Sequence, residues 1–178
     1  MIGITVEKAH GEYDPGTSKF FGAPTMPEEW LKDGTVGDED FFFCQLKLSE
    51  VKMLDKDGTA PQTGFIYFFL TFNDGVFTPN VRYCADEPDT LIDDFNAGFD
   101  FLGDTETEYS IDYVEKNDIK DGTGIFGIDG DKFTLLQYDP LDDNMPSFLA
   151  NTEKIAYFTM KLDDFKRLDF SNVEFSME

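Results

Sequence analysis

The side chains with the most obvious capacity for chemistry in this sequence are its carboxylates. Adjacent acids at Asp93-Asp94, Asp142-Asp143 and Asp163-Asp164 could run acid–base reactions if burial drove their pKa values apart. Neighbours along a chain do not face each other, however, and acids this numerous belong mostly in water. Asp55-x-Asp57-Gly58 and Asp129-Gly130-Asp131 place carboxylate oxygens on tight turns, where hard cations find ligands. Neither completes an EF-hand loop with its terminal Glu, and Asp and Gly serve turns for backbone reasons of their own, so structural turns are expected. His10 is the single histidine; it has no patterned partner, and no nucleophile elbow accompanies it. Cys44 and Cys84 lie in apolar stretches without C-x-x-C spacing and read as buried, reduced thiols. With no phosphate loop, no metal site and no cofactor are expected.

Three other polar residues invite attention. Gln45 interrupts an apolar strand, and strict alternation would put it on one face with Phe41, Phe43 and Lys47. Arg82, one of two arginines, sits in an extended segment where a carboxylate partner is readily found. A pocket lined by Gln45, Tyr67, Arg82 and buried acids would favour an enzyme. The rigid loop from Gly22 through Pro24 to Pro27, followed by Trp30, is suited either to plug a core edge or to form a contact surface.

These residues must be positioned by a chain of 178 residues, long enough for one domain or for two small lobes, about 18–85 and 105–178, sharing one core. With 40% apolar residues and 20 Phe, the composition is that of a folded protein. Strand signals dominate: Phe41–Leu48, Phe65–Phe72, Val81–Cys84, Tyr109–Val114, Phe133–Tyr138 and Ile155–Lys161 are runs rich in aromatic and β-branched residues between Asp-Gly punctuation. Asn73-Asp74-Gly75 predicts a hairpin. One helix of moderate length is predicted from Asp86-Glu87-Pro88 onward, with Leu91, Ile92, Phe95 and Phe99 at helical spacing and Asp93, Asp94 and Asn96 facing away.

An internal repeat refines this. Cys44–Asp55 aligns without gaps to Phe158–Asp169, with Lys, Leu, Lys, Leu and Asp shared. Each copy reads as a strand ending at Leu48 or Leu162, an N-cap at Ser49 or Asp163, an acid in the first turn, and a short helix pinned by Val51 and Leu54 or by Phe165 and Leu168. The expected fold class is therefore α+β, mostly antiparallel sheet with short helices, containing a duplicated strand–helix–strand unit.

The same segments carry a family resemblance. Ser18-Lys19-Phe20-Phe21-Gly22-Ala23-Pro24-Thr25-Met26-Pro27 resembles the SK-x-GG-x-P-x-LP motif of the YwqG-like proteins, a bacterial family of unknown function. Phe43–Val51 resembles their F-x-AQINLSEL segment, and Gly64–Phe69 the strand after it. Leu135–Asp139, Tyr157–Phe165 and Asp169–Val173 are similar to the later motifs, in the same order. Two segments depart: the GYP loop appears only as Gly124–Gly130, and MWGD is replaced by Met145–Leu149. The resemblance implies a compact domain of two related sheet units and brings no reaction with it.

Charge is the strongest functional lead. Net charge is −23, which repels phosphate backbones and anionic membranes and so excludes ordinary nucleic-acid and lipid binding. No segment is apolar enough for a signal h-region or a membrane span, so the cytoplasm is the expected location. Between Asp86 and Asp118 lie twelve acids and a single base, Lys116. The expected function is a non-enzymatic acidic protein-binding module that takes a basic protein partner, with Asp93, Asp94, Asp100, Asp104, Pro24 and Trp30 as contact candidates. A sharper version is an immunity-like protein covering the basic cleft of a nuclease. The alternative is a carboxylate-based hydrolase or a carbohydrate-binding domain.

Overall fold

The computed structural model describes residues 1–10, 14–116, 122–149 and 152–178. Ten strands form one sheet: β1 (Ile2–Lys8), β2 (Lys19–Phe20), β3 (Asp40–Lys47), β4 (Phe65–Asn73), β5 (Val76–Cys84), β6 (Tyr109–Glu115), β7 (Gly124–Asp129), β8 (Lys132–Tyr138), β9 (Ala156–Lys161) and β10 (Glu174–Met177). Their order is β10-β9-β8-β7-β1-β6-β2-β3-β4-β5, and every neighbouring pair is antiparallel. The sheet curls until its two edges meet, with the rings of Phe77 on β5 and Phe175 on β10 5.7 Å apart. Side chains close this barrel-like sheet at β5 and β10, since the two strands share no backbone ladder.

The α+β expectation is corrected by this architecture. Among the described residues, α-helix is confined to three short segments, α1 (Glu29–Lys32), α2 (Leu48–Val51) and α3 (Leu162–Lys166). The helix expected from Asp86 onward is absent, and its backbone pairs elsewhere. The Met26 N–H donates to the Thr90 carbonyl at 3.1 Å, and the Ile92 N–H to Pro24 at 2.9 Å. Asp94 and Gly98 stand at φ 54° and 94°, which no α-helix admits. The apolar spacing is real, but Ile92 and Phe95 pack against the outside of β3 and β4 rather than lining a helix.

Local readings fared better where the chain decides structure over a few residues. Asn73-Asp74-Gly75 makes the β4–β5 hairpin, with Asp74 and Gly75 at φ 50° and 80°. Both repeat segments turn from strand to helix at the same position, after Lys47 and after Lys161. Ser49 and Asp163 do not act as N-caps, because each helix begins one residue before them. Lys47 and Lys161 hold the cap positions in extended backbone without side-chain capping. The first amides are satisfied by neighbouring loops instead: Leu48 N–H donates to Gly64 at 2.9 Å, and Leu162 N–H to Asp131 at 3.1 Å.

The barrel is filled with rings. Phe20, Phe21, Phe41, Phe43, Tyr138, Phe148 and Phe158 pack edge-on and stacked, with centroids 5.0 Å apart for Phe43 and Phe148 and 5.4 Å for Phe43 and Phe158. A second cluster lies on the outer face of β3 and β4, where Phe42, Phe65, Tyr67 and Phe69 are covered by Met26, Trp30, Ile92 and Phe95. The face assignment expected for Gln45 is corrected by a bulge. The register of β3 on β4 slips between Phe42 and Cys44, so Phe43 is an extra residue. Phe41, Phe43, Cys44 and Leu46 therefore enter the barrel, while Phe42 and Gln45 face outward.

β2 is two residues long, so β3 lacks a full strand beside Phe42. Asn96 supplies the missing partner. Its Oδ1 accepts the Phe42 N–H at 2.8 Å, and its Nδ2 donates to the carbonyls of Phe42 at 2.9 Å and Thr105 at 3.0 Å. Asn96 is buried, not turned to solvent as helical spacing had implied. Replacing it with alanine leaves both backbone groups of Phe42 unpaired, while the Thr105 carbonyl keeps only the Gly22 N–H. Asn96→Ala should therefore lower unfolding stability by about 3 kcal/mol, read as a lower urea midpoint at unchanged m-value.

Candidate functional site

Sheet register assembles one polar row across the outside of the barrel. Glu7 on β1 faces Ser110 on β6, Ser110 faces Lys19 on β2, Lys19 faces Gln45 on β3, Gln45 faces Tyr67 on β4, and Tyr67 faces Arg82 on β5. The three pocket candidates are thus brought into line, but they share no pocket: Arg82 borders a surface hollow with Leu168–Ser171, and Gln45 and Tyr67 are enclosed. Gln45 Oε1 accepts the Thr25 N–H at 2.9 Å, and its Nε2 donates to the Thr17 carbonyl at 2.7 Å and to Thr25 Oγ1 at 2.9 Å. The Tyr67 hydroxyl donates to the Thr25 carbonyl at 2.6 Å. Both side chains are fully enclosed, and burial holds the Tyr67 phenol far above its usual range.

The covering segment is the proline loop itself. Pro24, Thr25 and Met26 are buried against the sheet, and Trp30 sets its ring edge-on to Tyr67 at 5.2 Å. Of the two roles open to this loop, the geometry is that of a plug. Arg82 lies exposed near the sheet edge, where its Nε donates to Asn80 Oδ1 at 2.7 Å; among the described residues it forms no ion pair with a carboxylate.

The row also holds a group that sequence reading passed over. Lys19 is completely buried, and its ammonium meets one carboxylate, Glu108, at 3.1 Å. Glu108 Oε1 accepts the Ala23 N–H as well, at 3.2 Å, tying the plug to β2. Gly22 permits this crossing: it stands at φ 72°, and a Cβ there would lie 2.0 Å from Glu108 Cγ. Burial pushes the Lys19 pKa down to about 8, with Asp14 opposing the shift, and raises that of Glu108 against the stabilising Ala23 amide. A Lys at the start of a two-residue strand leaves no periodic signature, so only the Ser18-Lys19 pair of the family motif marked it.

Above this pair the surface is acidic. Asp93, Asp94, Glu106 and Glu108 rim a hollow of about 310 Å³ whose apolar wall includes Leu91 and Phe95. Asp100 lies in a 3-10 turn, Asp100–Leu102, and Asp104 follows it. All four candidate aspartates are exposed, and none forms an ion pair among the described residues. Asp118, at the end of the acidic run, lies outside the described residues.

The remaining candidates settle into structural roles. Asp55 accepts the N–H groups of Thr59 and Ala60 at 3.1 and 2.8 Å, and Asp129-Gly130-Asp131 turns β7 into β8, with Gly130 at φ 64°. Asp164 pairs with Arg167, Asp142 accepts the Thr123 N–H at 2.7 Å, and exposed His10 lies 2.7 Å from the Lys8 carbonyl. Cys44 and Cys84 are free thiols, the first fully buried and the second partly so. Among the described residues no group of three or more His, Cys, Asp or Glu side chains is placed to hold a metal ion, and no helix is long and apolar enough to cross a membrane.

Comparison with known proteins finds no protein-family model that matches the chain and no matching curated protein.

The buried pair makes a testable prediction. Because the folded Lys19 pKa lies below the unfolded value, the unfolded chain holds more protons between about pH 8 and 10.5, and stability from this group rises across that window. Below it, the buried ammonium opposes folding. The double variant Lys19→Met/Glu108→Gln, which keeps an acceptor for Ala23, should therefore be more stable than the natural protein at pH 7, by about 2 kcal/mol. Its advantage should shrink toward pH 10.5, as urea unfolding at a series of pH values would record.

Proposed function

We propose that this protein is a non-enzymatic, acidic protein-binding module that acts in the cytoplasm by presenting carboxylates to a basic protein partner. The observation that carries the reading is the set Asp93, Asp94, Asp100 and Asp104, exposed and without ion-pair partners among the described residues. A field of that sign speeds encounter with a cationic surface and rejects anionic ones. An immunity-like role, with carboxylates standing where nucleic-acid phosphates would lie in a nuclease cleft, is the sharper form. The resemblance to the YwqG-like family is compatible with either form and brings no reaction of its own. The hydrolase reading depended on a pocket at Gln45, Tyr67 and Arg82; Gln45 and Tyr67 are occupied with holding the proline loop, and Arg82 lies exposed near the sheet edge.

The test begins with capture on immobilised protein at low salt and release at high salt, which should recover basic proteins. Replacing Asp93, Asp94, Asp100 and Asp104 by Asn should slow association with the recovered partner by about tenfold and flatten its salt dependence. Thermal unfolding should change little. Association rates unchanged by the four substitutions would return these acids to the role of a solvated surface.

A further inference from the structure

The acidic surface carries an apolar feature that charge alone does not explain. At one end of the barrel, the β4–β5 hairpin and the 3-10 turn Asp100–Leu102 bring Phe72, Phe77, Phe99 and Phe101 into a connected row of rings. Centroids lie 4.9 Å apart for Phe72 and Phe77, 5.6 Å for Phe72 and Phe101, and 6.1 Å for Phe99 and Phe101. The row is open to solvent at its tip, where Phe101 is 56% exposed. It is also rooted in the interior, since Phe99 packs on Phe41 at 5.6 Å and Phe77 on Phe148 at 5.8 Å. Rings held this way lose little freedom on contact, which is what makes an aromatic surface an effective anchor.

The charges around the row select its occupant. Residues 71–78 and 98–105 contain three acids, Asp74, Asp100 and Asp104, and no Lys or Arg. Asp74 is at the hairpin turn, Asp100 lies between Phe99 and Phe101, and Asp104 follows the turn. A second copy of the chain would set these acids against its own net charge of −23, and an anionic lipid surface would meet the same repulsion.

We infer that this end of the barrel is a docking surface for a basic amphipathic segment of a partner protein, one offering an aromatic or aliphatic side chain flanked by lysines or arginines. The inference rests on the proposed function and deepens it by naming the apolar contact within a charge-steered encounter. Asp100 and Asp104 draw the segment in, and Phe101 and Phe72 hold it. The carboxylates govern arrival, and the rings govern departure.

Two synthetic peptides of equal positive charge test it, one with Trp and Leu between lysines and the other with Ser and Gly in their place. Binding is followed by backbone amide NMR shifts of the full chain. The apolar peptide should bind about tenfold more tightly than its polar counterpart and shift amides in 72–77 and 99–104. Phe101→Ser, at a site exposed enough to leave unfolding unchanged, should erase that difference while preserving the weak, salt-sensitive binding common to both. Equal affinities of the two peptides, both lowered by Asp→Asn at 93, 94, 100 and 104, would overturn the docking surface and leave the charge reading standing. Binding of neither peptide would overturn both. Shifts confined to other faces, or a dimer in sedimentation that Phe101→Ser dissociates, would also overturn the inference, the latter by assigning this face to a second copy.

Discussion

The side chains that enter the barrel are set by one residue more in β3 than in the stretch of β4 that faces it. The bulge at Phe43 turns Phe41, Phe43, Cys44 and Leu46 inward and leaves Phe42 and Gln45 on the outside. The interior then becomes a continuous pack of rings around Phe43, which contacts Phe20, Phe21, Tyr138, Phe148 and Phe158. The same shift creates a second apolar layer outside, around Phe42, Tyr67 and Phe69, that water must not reach. A covering segment becomes obligatory, and the chain supplies two, the proline loop and the stretch from Leu91 to Asn96.

Those segments are held by side chains that imitate backbone. Gln45 binds the amide of Thr25, Tyr67 binds its carbonyl, and Asn96 binds both groups of Phe42. Every buried side-chain nitrogen and oxygen among the described residues has a partner, as a low-dielectric interior demands. Lys19 and Glu108 are the strained members of this scheme. Their contact joins β2 to the plug, yet burial weakens the charged form of each, so the ion pair contributes position more than stability.

The outer surface answers to different physics. Acids dominate it, and mutual repulsion among them is tolerable only where water and salt screen it. Against that background the ring of Phe101 is one of several exposed apolar side chains, set beside Asp100 and supported from beneath by Phe99. Charge of one sign and a rooted aromatic tip lie side by side on this surface.

The sequence by itself determined what depends on neighbours within a few residues. Alternating aromatic and β-branched runs marked six of the ten strands, Asn73-Asp74-Gly75 marked the hairpin, and the repeat located both strand-to-helix junctions to within a residue. Short-range sterics and pairing periodicity suffice for such features. Of the other four, β2 is two residues long, β10 four, and β7 contains glycines at 124 and 127, so these carry little pattern, whereas β1 shows Ile2, Ile4 and Val6 in an alternation that was passed over. Only the tertiary structure decided the rest. Helical spacing at Leu91, Ile92, Phe95 and Phe99 yielded to a neighbouring loop that offered backbone partners, turning the α+β expectation into a nearly all-antiparallel barrel-like sheet. The bulge shifted the alternation of β3 after Phe43, and burial made Lys19 and Asn96 matter. Each of these outcomes turns on groups distant along the chain competing for the same hydrogen bonds and the same apolar surface, a competition that no local pattern records.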